Sequence, residues 1–205
     1  LQHLRYLPEA DHRLVLSPHA RLGGERPAAF LRRIPVDAVA RIDAEELRYQ
    51  WFDHVLKGQA RPAPLQDRVN FVTQGVNQCR HASDLDAMAD ERLRFHLDAQ
   101  EVEGGHLLAR HDEPPGTFVA REVSLRDREE AVFVPQSDLV ARAVDASDGL
   151  VYISAPLASA VDVAGVVSGR LDILTNKLDV DFSVALYELQ ASGDYVKLFD
   201  PSIAF

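Results

Sequence analysis

Apolar and polar residues alternate with two different periods along this chain, and the change falls near Gly58-Gln59-Ala60-Arg61-Pro62-Ala63-Pro64. Before that stretch, Arg13-Leu14-Val15-Leu16 is a short, nearly continuous apolar run of the kind a strand buried on both faces carries. Residues 43–57 follow a helical period. Asp43 is placed to accept from the first free backbone amides, Glu45 and Glu46 sit at the positive end of the dipole, and Gly58 supplies a left-handed stop. Leu47, Trp51 and Val55, with Phe52 and Leu56, recur at spacings of four and predict an apolar face whose burial holds the helix. About fifteen residues are only marginally helical alone.

After Pro64 the period becomes two. Val69 and Phe71; Leu93, Phe95 and Leu97; Val119 and Val123; Leu139, Ala141 and Ala143; Leu150 and Tyr152; Val161 and Val163; Leu171 and Ile173; and Val180, Phe182, Val184 and Leu186 each predict a short strand. Turn chemistry separates them at Gly104-Gly105, Pro114-Pro115-Gly116, Asp145-Ala146-Ser147-Asp148-Gly149 and Ser192-Gly193-Asp194. Many short strands with no helical pattern between them predict a mainly β chain, a two-sheet sandwich or jelly roll.

Composition narrows the partners. With 205 residues, 46% of them hydrophobic, a sizeable core is within reach. The net charge of -10, with Lys and Arg scattered, removes the electrostatic attraction that nucleic-acid binding depends on, so no nucleic-acid partner is expected. Apolar runs such as Val161 to Val167 fall far short of the roughly 20 residues that cross a bilayer, so a soluble protein with no membrane partner is expected. Cys79 is the single cysteine, which excludes an internal disulfide and leaves the compartment open, with a cytoplasmic placement favoured slightly over a periplasmic or secreted one. The chain starts at Leu1 without methionine and stops on Ile203-Ala204-Phe205, and is read as a segment of a longer product.

Side chains that invite a chemical reading are few. Asp179 and Asp181 alternate as carboxylates sharing a calcium ion would, but the other positions of a calcium loop are missing, and capping of turns is favoured. The eight histidines contain no His-x-His or His-Glu-x-x-His pair, which weighs against zinc and against a cupin-type metalloenzyme. His96 is expected to point away from its apolar neighbours Phe95 and Leu97, into solvent, and His54 to lie on the surface or between domains. Cys79 is read as a small buried hydrophobe, and Trp51 and Phe52 as core. No cofactor is expected.

Trp51-Phe52-Asp53-His54-Val55-Leu56-Lys57-Gly58, followed by Val69-Asn70-Phe71-Val72-Thr73-Gln74-Gly75-Val76-Asn77-Gln78-Cys79-Arg80, resembles a helix end and the next strand of the CocE/NonD family of serine hydrolases. That family includes cocaine esterase, α-amino-acid ester hydrolase and cephalosporin-acylase-like enzymes. Cys79 stands where the family's Gly-x-Asn-x-Trp-Arg pattern has tryptophan. Leu150-Val151-Tyr152, Ala155-Pro156-Leu157, Val163-Ala164-Gly165, Asp179-Val180-Asp181-Phe182-Ser183-Val184 and Gly193 are similar to its C-terminal jelly roll, a galactose-binding-like domain shared with X-prolyl dipeptidyl aminopeptidases.

The resemblance runs in order from about Arg13 to Phe199. It implies that residues 1–65 are the last strand and helix of an α/β-hydrolase domain, and that residues 66–205 are the jelly roll, cut short at its end. It also implies a serine, aspartate and histidine triad with the histidine last in the chain. Leu16-Ser17-Pro18-His19 stands at the point of the family's Gly-Pro-Trp-x-His, with Ser17 in place of glycine, which makes His19 the candidate general base. No Gly-x-Ser-x-Gly occurs in the chain, and Asp11 lies too close before the strand to be assigned as the acid. The expectation is therefore the C-terminal part of a serine-dependent acyl hydrolase for small ester, amide or peptide substrates. Its partner would be the rest of its own hydrolase domain, homo-oligomerisation is left open, and the chain is expected to be inactive alone. The alternative is a non-catalytic jelly-roll module that binds carbohydrate or protein.

Overall fold

The helix forms where local chemistry places it. Asp43 Oδ1 accepts from the backbone N–H groups of Glu45 and Glu46 at 3.0 Å each, so α1 begins at Ala44 and runs to Lys57. Gly58 closes it at φ 67°, and its N–H and that of Gln59 return to His54 O and Asp53 O. Gln50 donates to Glu46 at 2.9 Å and Lys57 pairs with Asp53 at 2.6 Å, each four residues apart on the surface. The computed structural model describes residues 11–18, 29–31, 34–110, 118–122, 139–144, 149–176, 178 and 184–198.

The expected burial of one broad helix face does not hold. Leu47 and Trp51 are half-buried, whereas Phe52, Val55 and Leu56 are 51%, 57% and 76% exposed. The 100° turn per residue accounts for two of them: Leu47 and Trp51 form one stripe, with Trp51 under the Arg13 guanidinium at 6.0 Å, while Phe52 and Leu56 lie about a quarter-turn or more away; Val55 continues the stripe and is exposed all the same.

The described chain is mainly small β-sheets with this one helix, and it divides into two compact units: Leu1–Glu91 with Asp162–Leu171, and Arg92–Val161 with Asp172–Phe205. In the first, β1 (Leu14–Leu16), the antiparallel pair β2 and β3 (Phe30–Leu31 and Ile34–Pro35), α1, β4 (Val69–Thr73) and β5 (Gln78–Ala82) follow in order. β1 lies parallel to β4, pairing Leu14 with Val69 and Leu16 with Phe71, and β4 lies antiparallel to β5. A parallel pair needs a crossover connection, and α1 falls within it. Val69, Phe71 and Ala82 from one sheet face form the core with Met88, and Leu14, Leu85 and Ala164 pack on it. β1 is less covered than its apolar run predicts: Leu14 and Val15 are half-buried and Leu16 is exposed.

In the second unit, β6 (His96–Val102) and β7 (Gly105–Ala109) form an antiparallel hairpin with a bulge between Leu97 and Glu101, turning at Gly104 with φ 86°. β8 (Val140–Ala141), β9 (Tyr152–Ile153), β10 (Tyr187–Leu189) and β11 (Tyr195–Lys197) follow. β9 runs parallel to β7, and the approach is close enough that a Cβ at Gly105 would meet Val151 O at 2.4 Å. β11 joins β10 and β8, its hairpin turning at Gly193 with φ 86°.

Several predicted strands do not form. Val161 with Val163 and Leu171 with Ile173 lie in irregular, exposed backbone, because their alternation has no neighbouring strand to take up the ladder bonds among the described residues. Strand β6 starts at His96, later than Leu93, and Val119 lies in irregular backbone. Val123 and residues 179–183 lie outside the described residues, as does Pro114-Pro115-Gly116. None of the described sheets closes into a barrel, and no described helix is long and apolar enough to cross a membrane.

Candidate functional site

The β4–β5 turn carries the Gly-x-Asn pattern, and its backbone explains those residue types. Gly75 has φ 93° and Asn77 φ 50°, both in the left-handed region that glycine and asparagine tolerate. The Asp37 carboxylate accepts from Gly75 N at 2.7 Å and Asn77 N at 3.0 Å, and Asn77 Oδ1 accepts from Val39 N at 3.2 Å. Gln74 donates to Pro35 O as well. The turn is thus tied by side chains to residues 35–39, about forty positions earlier in the chain.

This turn fixes the register that brings Asn70 opposite His81. Asn70 is 1% exposed and uses its amide fully. Nδ2 donates to Leu14 O at 3.1 Å and Asp67 O at 2.7 Å; Oδ1 accepts from Asp67 N at 3.0 Å and from His81 Nδ1 at 2.8 Å. Because both amide protons are engaged by carbonyls, the group facing His81 is the oxygen, and His81 carries its proton on Nδ1.

Cys79 lies two residues before His81 on the same strand, so the two share a sheet face about 6.6 Å apart along the chain. The Cys79 thiol is half-buried, and burial pushes its pKa up, which holds it in the protonated, weakly nucleophilic form. The arrangement is an exposed imidazole held through Nδ1 beside a half-buried thiol that is not activated. Neither residue stands out as a pair in the sequence; period-two alternation in Cys79-Arg80-His81, with the register set by the Gly75–Asn77 turn, is the signal that marks them. On the opposite face, Arg80 Nη2 pairs with Asp162 Oδ2 at 2.5 Å.

His19 lies outside the described residues, as do Asp179 and Asp181. What leads to His19 is described: β1 ends at Leu16, and Ser17 Oγ donates to Ala40 O at 2.8 Å. Asp11 is exposed and pairs with Arg13 at 2.7 Å. His54 donates from Nδ1 to Gln59 O at 2.7 Å with its ring 5.5 Å from that of Trp51, securing the end of α1.

His96 departs from expectation: it is half-buried, its Nε2 is buried without a hydrogen-bond partner among the described residues, and Leu97 is the exposed neighbour. The strand begins at His96 opposite buried Ala109, which turns the histidine inward. Across the same sheet, His106 pairs with Tyr152, ring centroids 5.6 Å apart, with Nδ1 buried and without a partner among the described residues; burial also raises the Tyr152 hydroxyl pKa. Among the described residues no group of three or more His, Cys, Asp or Glu side chains is placed to hold a metal ion.

No family model, curated protein or solved structure matches the chain.

Proposed function

We propose that this chain is the C-terminal portion of a serine-dependent acyl hydrolase resembling the cocaine esterase and α-amino-acid ester hydrolase group, with its later part similar to the jelly roll of X-prolyl dipeptidyl aminopeptidases. The observation that carries the reading is the parallel pairing of β1 with β4 across a connection that contains α1, a pairing that on this reading makes β4 part of the hydrolase sheet and moves the start of the jelly roll beyond residue 66. Parallel strands joined through a helix belong to α/β domains, whose sheets are covered by helices. In such sheets catalytic groups gather beyond the carboxyl ends of the strands. In sequence His19 follows the carboxyl end of β1 by three residues, which supports its reading as the triad histidine.

Two further observations support it. Phe52, Val55 and Leu56 are exposed on α1, an apolar face suited to cover by the rest of a hydrolase domain. The Gly75 and Asn77 positions, which carry part of the resemblance, have left-handed backbone conformations that favour those residue types.

In this reading a serine on a sharp Gly-x-Ser-x-Gly turn, supplied by the rest of the hydrolase domain, attacks the acyl carbonyl. His19 accepts its proton and returns it to the leaving group, and water then releases the acyl-enzyme. Small esters, amides or peptides are the substrate class. The test compares turnover of an activated ester by this chain with turnover by a form extended at its amino end to include a Gly-x-Ser-x-Gly turn. The reading expects turnover from the extended form alone; equal turnover by both, or glycan binding by this chain without esterase activity in the extended form, overturns it.

A further inference from the structure

Residues Asp162–Leu171 pack with the first unit, although the chain on either side of them belongs to the second. These residues belong to no helix or strand, and Arg170 among them makes a further interaction of its own. Residues 154–169 make no backbone–backbone hydrogen bond among the described residues. Ala164 packs against the cluster of Val69, Phe71, Ala82 and Met88, while Val163, Val166 and Val167 remain exposed. At Gly165, with φ 104°, a Cβ would stand 4.0 Å from Met88 Cβ, so this backbone passes directly over Met88. A polar attachment is the Arg80–Asp162 pair at 2.5 Å, whose side chains are 37% and 40% exposed.

We propose that Asp162–Leu171 is a releasable strap over the Met88 end of the core, latched by the Arg80–Asp162 ion pair. Segments with few apolar contacts and few backbone hydrogen bonds open locally, well before the whole unit unfolds. An exposed ion pair biases such an equilibrium by at most about fivefold, and salt removes that bias. Release lifts Ala164 and Gly165 from Met88 and opens the apolar face of Phe71 and Ala82 beside it. The strap is thereby a conformational device whose closed fraction follows ionic strength.

The chain supplies two single-copy reporters. Met88 is its only methionine, buried beneath the strap, and Cys79 is its only cysteine, on the opposite sheet face from Arg80. Oxidation of Met88 to the sulfoxide by dilute hydrogen peroxide requires the thioether to become accessible. When opening and closing are fast relative to oxidation, its rate follows the open population.

The experiment follows Met88 sulfoxide by mass spectrometry in the full chain and, separately, alkylation of Cys79 by iodoacetamide. Asp162→Asn is expected to oxidise about two- to fivefold faster than the native chain at low salt, with Cys79 alkylation unchanged. In about 1 M salt the native chain is expected to reach the rate of the variant. Exchanging the charges in Arg80→Asp with Asp162→Arg is expected to restore the native rate. An unchanged Met88 rate in Asp162→Asn, a parallel rise at Cys79 that marks loosening of the whole unit, or failure of the charge exchange to restore protection overturns the proposal.

Discussion

Asn70→Ala is the perturbation whose cost follows most directly from the structure. The native side chain is 1% exposed and makes four hydrogen bonds, two of them donated to backbone carbonyls and one of those spanning the 56 residues back to Leu14. A buried hydrogen bond contributes about 0.5–1.5 kcal/mol net, and removing one partner leaves the other to bear its desolvation. Four bonds lost together, with two carbonyls and one N–H stranded in half-buried positions, give an expected loss of about 2–4 kcal/mol. Urea unfolding followed by fluorescence reads it, since Trp51 is the only tryptophan and rests against Arg13 in the same unit. With a urea dependence of about 1–3 kcal/mol per molar, the midpoint should fall by about 1–2 M.

Asn70→Asp sharpens the test. It sets a second oxygen against Leu14 O and Asp67 O in place of two donors, so at neutral pH it should be at least as destabilised as the alanine variant. Its folded state favours the protonated acid, so the deficit should shrink as pH falls. A midpoint for Asn70→Ala within about 0.3 M of the native chain, or an aspartate variant as stable as the native one near neutral pH, refutes the reasoning.

Other outcomes follow from single contacts. Asp43→Ala removes the two capping bonds of α1, and Gly58→Ala places a side chain at φ 67° with nothing within 4 Å to clash, so its cost is conformational; each should weaken protection of the α1 amides against hydrogen exchange by about 1 kcal/mol. Asp84 accepts from Ala87 N at 2.8 Å and from Ser83 Oγ at 3.1 Å, which hold its carboxyl below the usual aspartate range. Its contribution is therefore present above the ordinary pKa of about 4 and lost as pH falls through the lowered value, so Asp84→Asn should flatten the acid limb of the stability curve, and an unchanged limb counts against it. Phe52→Ser should alter the stability of this chain by less than about 0.5 kcal/mol, because the ring is already exposed, yet destabilise a form extended to include the rest of a hydrolase domain.

Where the signals were local, the sequence carried the structure well. Asp43 and Gly58 bound α1 within one residue because a cap acts on amides and carbonyls within a turn of itself. Gly104 and Gly193 likewise mark hairpins whose strands they join directly. Pairings between distant residues were not legible. Nothing near Leu14 states that it lies beside Val69, and the alternation at Val161 and Leu171 could not reveal that no described strand pairs with it.

The helix face shows the same limit, since spacing identifies which residues are apolar but not which side of α1 meets another element. At the candidate site, His81 becomes interpretable only through Asn70, whose role depends on the register of the β4–β5 hairpin and on a carbonyl of β1. Alternation from Leu93 sends His96 to solvent, whereas the ladder starts only at His96, where pairing with buried Ala109 sets the inward face.

Whether His19 serves a serine supplied by another part of the same hydrolase is read most plainly by covalent labelling with a fluorophosphonate. Intact mass and peptide mapping locate the adduct in a form extended at its amino end to include a Gly-x-Ser-x-Gly turn. A single adduct on that serine is expected, with none on residues 1–205, and it should be lost in His19→Ala. An adduct of undiminished rate in His19→Ala, or one carried by a residue of this chain, contradicts the assignment.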